Sequence, residues 1–170
     1  MTEKKQRNIF KTWLAEHKTL LFKVVRAYAF NWADRDDLFQ KIAIQVWRSV
    51  PNFREESAVT TWLYRVALNT AIKWNRDEQK HQKGQQSFEN MEHLLQQNKT
   101  AVDERLEWMY RQIAKLDKIY RSLSLLLLDG FSYKEMSNIL GISESNVGVK
   151  IHRIKKHLIE KSEEYDHHGI

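Results

Sequence analysis

Residues 132–158 read SYKEMSNILGISESNVGVKIHRIKKHL, and this stretch decides the kind of fold the chain adopts. Ser132 followed three positions later by Glu135 is a capping box, so a helix begins at Tyr133. That helix is short, with Met136, Ile139 and Leu140 as its buried positions. Gly141 supplies the backbone freedom for a tight turn, Ile142 anchors the turn, and Ser143 caps a second helix. On the second helix Val147, Ile151, Ile154 and Leu158 recur at i, i+4, i+7 and i+11, an inner stripe. From Ser145 to Leu158 its remaining surface has one sign: Lys150, Arg153, Lys155 and Lys156, two histidines and no acid. A helix shaped only for solubility mixes both signs. Short helix, glycine turn and acid-free basic helix in that order fit a helix-turn-helix, whose second helix lies in the major groove of DNA. Ser145, Asn146, Gly148 and Val149 would then meet base edges, where Asn pairs with adenine and Val touches a thymine methyl. Lys150, Arg153 and Lys156 would meet phosphates. The plainer reading, an amphipathic helix with solvated charges, stays open on this stretch alone.

The rest of the chain agrees with an all-helical fold. Its 170 residues suffice for one medium domain or two small ones. Only five glycines and one proline, Pro51, occur, too few for the turns of an all-β fold. The net charge of +6 favours a polyanionic partner. The absence of cysteine excludes disulfides, thiolate metal sites and cysteine catalysis. Scattered histidines and the lack of a Gly-rich phosphate loop or a nucleophilic triad predict no metal, no cofactor and no enzymatic activity. No apolar run suits a signal peptide or a bilayer span, so no membrane insertion and a cytoplasmic location are expected.

Three helical patterns fill the first half. Leu21, Val24, Val25 and Tyr28 share one face of the first. The second runs from near Asp34 to about Val50, with Leu38, Phe39, Ile42, Ala43, Val46 and Trp47 inward, and Pro51 ends it. The third runs from Thr60 or Thr61 to about Arg76, with Leu63, Val66, Ala67, Thr70, Ala71 and Trp74 inward. Residues 79–103 are rich in Gln, Asn, Lys and His and read as a linker. Periodicity returns at Leu106, Met109, Tyr110, Ile113 and Leu116, and an apolar helix over residues 118–128 stops at Asp129-Gly130. The expected organisation is a first domain over 1–78, a linker over 79–103 and a second domain over 104–170.

Residues 34–74, DRDDLFQKIAIQVWRSVPNFREESAVTTWLYRVALNTAIKW, resemble the core of extracytoplasmic-function sigma factors of the sigma-70 family. The D-L-x-Q and V-W motifs, the F-R-x-x-S segment and T-W-L-Y-R-x-A-x-N stand in family order. LLLLDGFSYKEMSNILGISESNVGVKIHRIKKHL resembles the same family's −35 helix-turn-helix. Together the similarity spans about residues 18–78 and 104–159. It implies two partners, core RNA polymerase and promoter DNA, and an anti-sigma factor is common in the family. Asp37, Gln40, Lys41 and Ile44 would dock on the clamp helices of the polymerase β′ subunit. Arg65, Asn69, Lys73 and Arg76, spaced by 4, 4 and 3 on one helix face, would read the −10 element with Ser57, Thr60 and Thr61 of the preceding loop. Extruding a −10 base costs a few kcal/mol, which these contacts must recover. Trp62 and Tyr64 invite a stacking role, although large aromatics at helix starts usually fill core.

The sequence departs from the family at three places. Leu116-Asp117 stands where Leu-Pro is usual, and Gly148 and Val149 replace the more frequent polar residues at base-reading positions. Gly148 also weakens its helix by up to roughly 1 kcal/mol relative to Ala, which would suit close approach to the DNA backbone. The competing functional reading is a helix-turn-helix regulator that binds DNA without polymerase.

Overall fold

The computed structural model describes residues 1–81 and 104–168, which form helices joined by short turns. The chain divides into two compact units, Met1–Thr100 and Ala101–Ile170.

In the first unit, α1 (Glu3–Tyr28), α2 (Trp32–Ser49) and α3 (Val59–His81) pack mutually, with a 3₁₀ turn at Val50–Asn52. Helix α1 begins far upstream of the expected stripe, where the Thr2 side chain accepts from Lys5 N. Its backbone leaves helical geometry at His17 (φ −116°, ψ 18°), so two helical stretches meet there. The second stretch buries Leu21, Val24, Val25 and Tyr28 as the spacing predicts. Asn31, not Asp34, caps α2: its Oδ1 accepts from Asp34 N at 2.8 Å, which starts the helix two residues early. Helix α3 starts at Val59 because Trp62 N donates to the Ala58 carbonyl. It buries Leu63, Ala67, Ala71 and Trp74, and also Tyr64 and Leu68, since it packs against both α1 and α2. Helix α3 runs on through His81, into the stretch read as linker; the remainder of that stretch, 82–103, lies outside the described residues.

The second unit contains α4 (Glu104–Lys115), α5 (Lys118–Leu128), α6 (Tyr133–Leu140) and α7 (Glu144–His168). The corner at Leu116-Asp117 needs no proline. Asp117 caps α5 by accepting from Ile119 N and Tyr120 N at 3.1 and 3.2 Å. Arg121 is buried and donates to the carbonyls of Ala114 and Leu116 at 2.8 and 2.9 Å, satisfying the end of α4. Ile113, Leu123, Leu126, Met136, Ile139, Val147, Ile151 and Ile154 make the core. Helix α7 continues well beyond Leu158, and Tyr165 packs on Trp108 of α4 with ring centroids 5.5 Å apart.

Candidate nucleic-acid interface

The α6–α7 corner is built by the interactions its sequence implies. Glu135 N donates to Ser132 Oγ at 3.2 Å, and Ser132 N donates to Glu135 Oε2 at 2.7 Å. The latter bond holds the Glu135 carboxyl below the usual carboxylate range. Gly141 closes α6 in the left-handed region, φ +69°. Ser137 Oγ then donates to the Ile142 carbonyl across the turn, and Asn146 N donates to Ser143 Oγ at 3.1 Å. With Val147, Ile151 and Ile154 buried beneath, α7 has a fixed outward face.

Ser145, Asn146, Val149, Arg153 and Lys156 are exposed on α7, and Lys150 is half-buried. Val149 is 48% exposed on this face. Gly148 lies on the flank of α7 beside α6, where a Cβ would sit in ordinary contact with the Tyr133 ring at 3.6 Å, so packing against α6 does not require a glycine there. His152, which the sequence reading left out, is exposed and falls between Val149 and Lys156 at helical spacing, on the same face. Lys150 and Arg153 converge on Tyr120 of α5: the ammonium sits 4.7 Å from the ring centroid, and Arg153 Nη1 donates to Tyr120 Oη at 3.3 Å.

In the first unit, Arg65, Asn69 and Lys73 are exposed on one face of α3, and none has a hydrogen-bond or ion-pair partner among the described residues. The Arg76 side chain lies outside the described residues. Ser57 is exposed, while Thr60 and Thr61 are half-buried in the first turn of α3. The root of the loop over residues 54–58 is held by aromatic packing. Phe53 lies edge-on to Trp13, centroids 5.2 Å apart, and 5.6 Å from Trp62. Trp62 Nε1 donates to Ser49 Oγ at 3.1 Å. Trp62, half-buried, therefore anchors the loop, and Tyr64, 1% exposed, is core and presents no stacking surface to a base. Glu55 in this loop has φ +59°, a conformation that L side chains rarely adopt.

On α2, Gln40, Lys41 and Ile44 are exposed opposite the buried Leu38, Ile42 and Val46. Asp37 shares this face but has internal work. Its Oδ2 accepts from Trp74 Nε1 at 2.7 Å and pairs with Lys41 Nζ at 3.1 Å. The Trp74 bond, aided by Lys41 against a smaller opposing effect of burial, holds its carboxyl below the ordinary Asp value. Asp37 thus ties α2 to α3, which periodicity could not show because the tie is non-local. The sequence reading also missed the start of α1, where Gln6 Nε2 donates to the Trp47 carbonyl at 2.8 Å and Phe10 lies edge-on to Trp47.

Among the described residues, no helix is long and apolar enough to cross a membrane. Comparison with known proteins gives the frame for these faces. Residues 13–81 match the family model for sigma-70 region 2, and residues 106–158 match that for sigma-70 region 4. The chain is 30% identical over 142 residues to the RNA polymerase sigma factor YlaC of Bacillus subtilis (strain 168), covering 75% of this chain and 79% of that protein. It is 28% identical over 140 residues to the ECF RNA polymerase sigma-E factor of Escherichia coli (strain K12), covering 75% and 73%. Its fold is similar to that of CnrH, solved in complex with the cytosolic domain of CnrY (TM-score 0.65, 21% identity, 92% of this chain and 89% of that one). It is also similar to the sigma factor RpoE, solved with the anti-sigma factor NepR from Bartonella quintana (TM-score 0.67, 17% identity, 89% and 94%). The chain belongs to the sigma-70 family, in its extracytoplasmic-function branch, and is an RNA polymerase sigma factor.

Proposed function

We propose that three helical faces divide the work of promoter selection. The α2 face of Gln40, Lys41 and Ile44, with Asp37 at its edge, docks on the clamp helices of the polymerase β′ subunit. The α3 face of Arg65, Asn69, Lys73 and Arg76 reads the −10 element, with Ser57, Thr60 and Thr61 from the preceding turn. Helix α7 reads the −35 element as duplex through Ser145, Asn146, Gly148 and Val149, while Lys150, Arg153 and Lys156 contact phosphates. The factor acts in the cytoplasm, without catalysis or cofactor, and over 79–103 the chain links the two domains. An anti-sigma factor is a further partner class, a reading supported by the similarity of the fold to RpoE, solved with the anti-sigma factor NepR.

The observation that carries this division is the outward face of α3. Asn69 stands exposed between exposed Arg65 and Lys73, on a helix whose opposite side buries Leu63, Ala67, Leu68, Ala71 and Trp74. An amide flanked by phosphate-binding cations is suited to reading an exposed base. The test compares binding to promoter duplex with and without core enzyme, for the wild type and for Asn69→Ala. Tight, strand-opening binding only with core, weakened by Asn69→Ala, is expected. Equally tight binding by the chain alone, unaffected by Asn69→Ala, would overturn the reading.

A further inference from the structure

Lys150 and Arg153 stand one turn apart on α7 and straddle a single aromatic side chain that belongs to neither helix of the helix-turn-helix. Tyr120 lies in the first turn of α5, fixed by the Asp117 cap that accepts from its own backbone N–H at 3.2 Å. Its ring receives the Lys150 ammonium and its hydroxyl oxygen accepts from Arg153. Neither cation has a carboxylate partner among the described residues. The chemistry of this arrangement differs from that of a salt bridge. A carboxylate would orient the two side chains but cancel their charge; a neutral phenol orients them and leaves both charges available. The two cations also draw the phenol below its ordinary pKa, chiefly through the Arg153 hydrogen bond, which agrees with a locally positive field.

We propose that Tyr120 is a positioning residue for DNA binding: it holds Lys150 and Arg153 preorganised at the edge of α7 so that both contact backbone phosphates beside the −35 element. The inference rests on the reading of α7 as the recognition helix. Long cationic side chains lose rotamer freedom when they bind, and a partner that orders them beforehand removes part of that cost. Because phosphates carry no sequence information, the benefit is the same on any duplex.

The test measures binding of the full-length chain to two labelled duplexes, one carrying the −35 element of a promoter mapped for this protein and one of scrambled sequence. Tyr120→Ala is expected to weaken both by the same factor, about three- to tenfold, at a temperature where its unfolding curve shows the variant fully folded. Tyr120→Phe keeps the ring for Lys150 and loses only the Arg153 bond, so it has a smaller effect, absent in an Arg153→Ala background. Unchanged binding by Tyr120→Ala would overturn the proposal, as would tighter binding, which would mean that the phenol restrains the cations away from DNA. A loss confined to the −35 duplex would also overturn it, since that signals a misplaced α7. Arg153→Ala and Lys156→Ala separate the two levels. If both leave binding to either duplex intact, the reading of α7 itself fails; if both weaken it while Tyr120→Ala is silent, only the role of Tyr120 fails.

Discussion

Substitution of Ile44 isolates the docking face from the fold, and its size follows from exposure. Ile44 is 49% exposed on α2, so docking can bury about half of the side chain. Full burial of an Ile is worth about 1.5–3 kcal/mol, and the half that remains is therefore worth about 1 kcal/mol. Ile44→Ala removes most of it and should weaken binding to core polymerase about fivefold. Ile44→Asp places an unpaired carboxylate in the contact, at a cost on the order of 3 kcal/mol, or about a hundredfold in affinity. Because the residue touches solvent in the free chain, neither variant should move the unfolding midpoint by more than the small effects usual at surfaces. The assay is titration of labelled chain with core enzyme, beside thermal unfolding of the free chain. Asp37→Arg serves as the contrast: it removes the acceptor of the Trp74 indole, so it should lower the unfolding midpoint as well as docking. Normal docking by Ile44→Asp would refute the interface. A large loss of stability by that variant would refute the claim that Ile44 has no part in the fold.

Three further outcomes are expected. Gly141→Ala finds open space for its Cβ but must hold φ +69°, so it should destabilise the second unit by about 1–2 kcal/mol, with Gly141→Asn losing less; unfolding midpoints check the order. Asn69→Ala should cost about 1–3 kcal/mol of discrimination at one −10 base and leave −35 preference unchanged, measured by initiation from promoters substituted singly at each position. Asp37 has a lowered pKa when folded, so its stabilising effect is complete above its ordinary value of 3.8 and is lost as pH falls through the lower folded value. Trp74→Phe removes the main cause of that shift and should flatten the acid decline in stability of the first unit, followed by unfolding at a series of pH values.

The helix-turn-helix was fully legible because its determinants are local. The capping box, the glycine turn and the apolar stripe of α7 each lie within a few residues of what they control. The helices of the first unit were legible as stripes, but their starts depended on which residue caps them: Asn31 precedes the expected start of α2, and the Ala58 carbonyl sets that of α3. The roles of Asp37 and Tyr120 were not legible, because each is defined by a partner on another helix. Asp37 looked like a free surface acid until Trp74, on α3, was seen to donate to it. The departure at Asp117 turned out to be harmless, since an Asp at that corner caps α5 as well as a proline would start it.

The most direct test of the account is transcription by purified core RNA polymerase, with and without this chain, on genomic fragments from its own source, with start sites mapped. The account predicts start sites that appear only with the chain, sharing elements near −10 and −35, and lost when Ile44→Asp replaces the wild type. Start sites that are the same with and without the chain, while the chain binds DNA unaided, would contradict it.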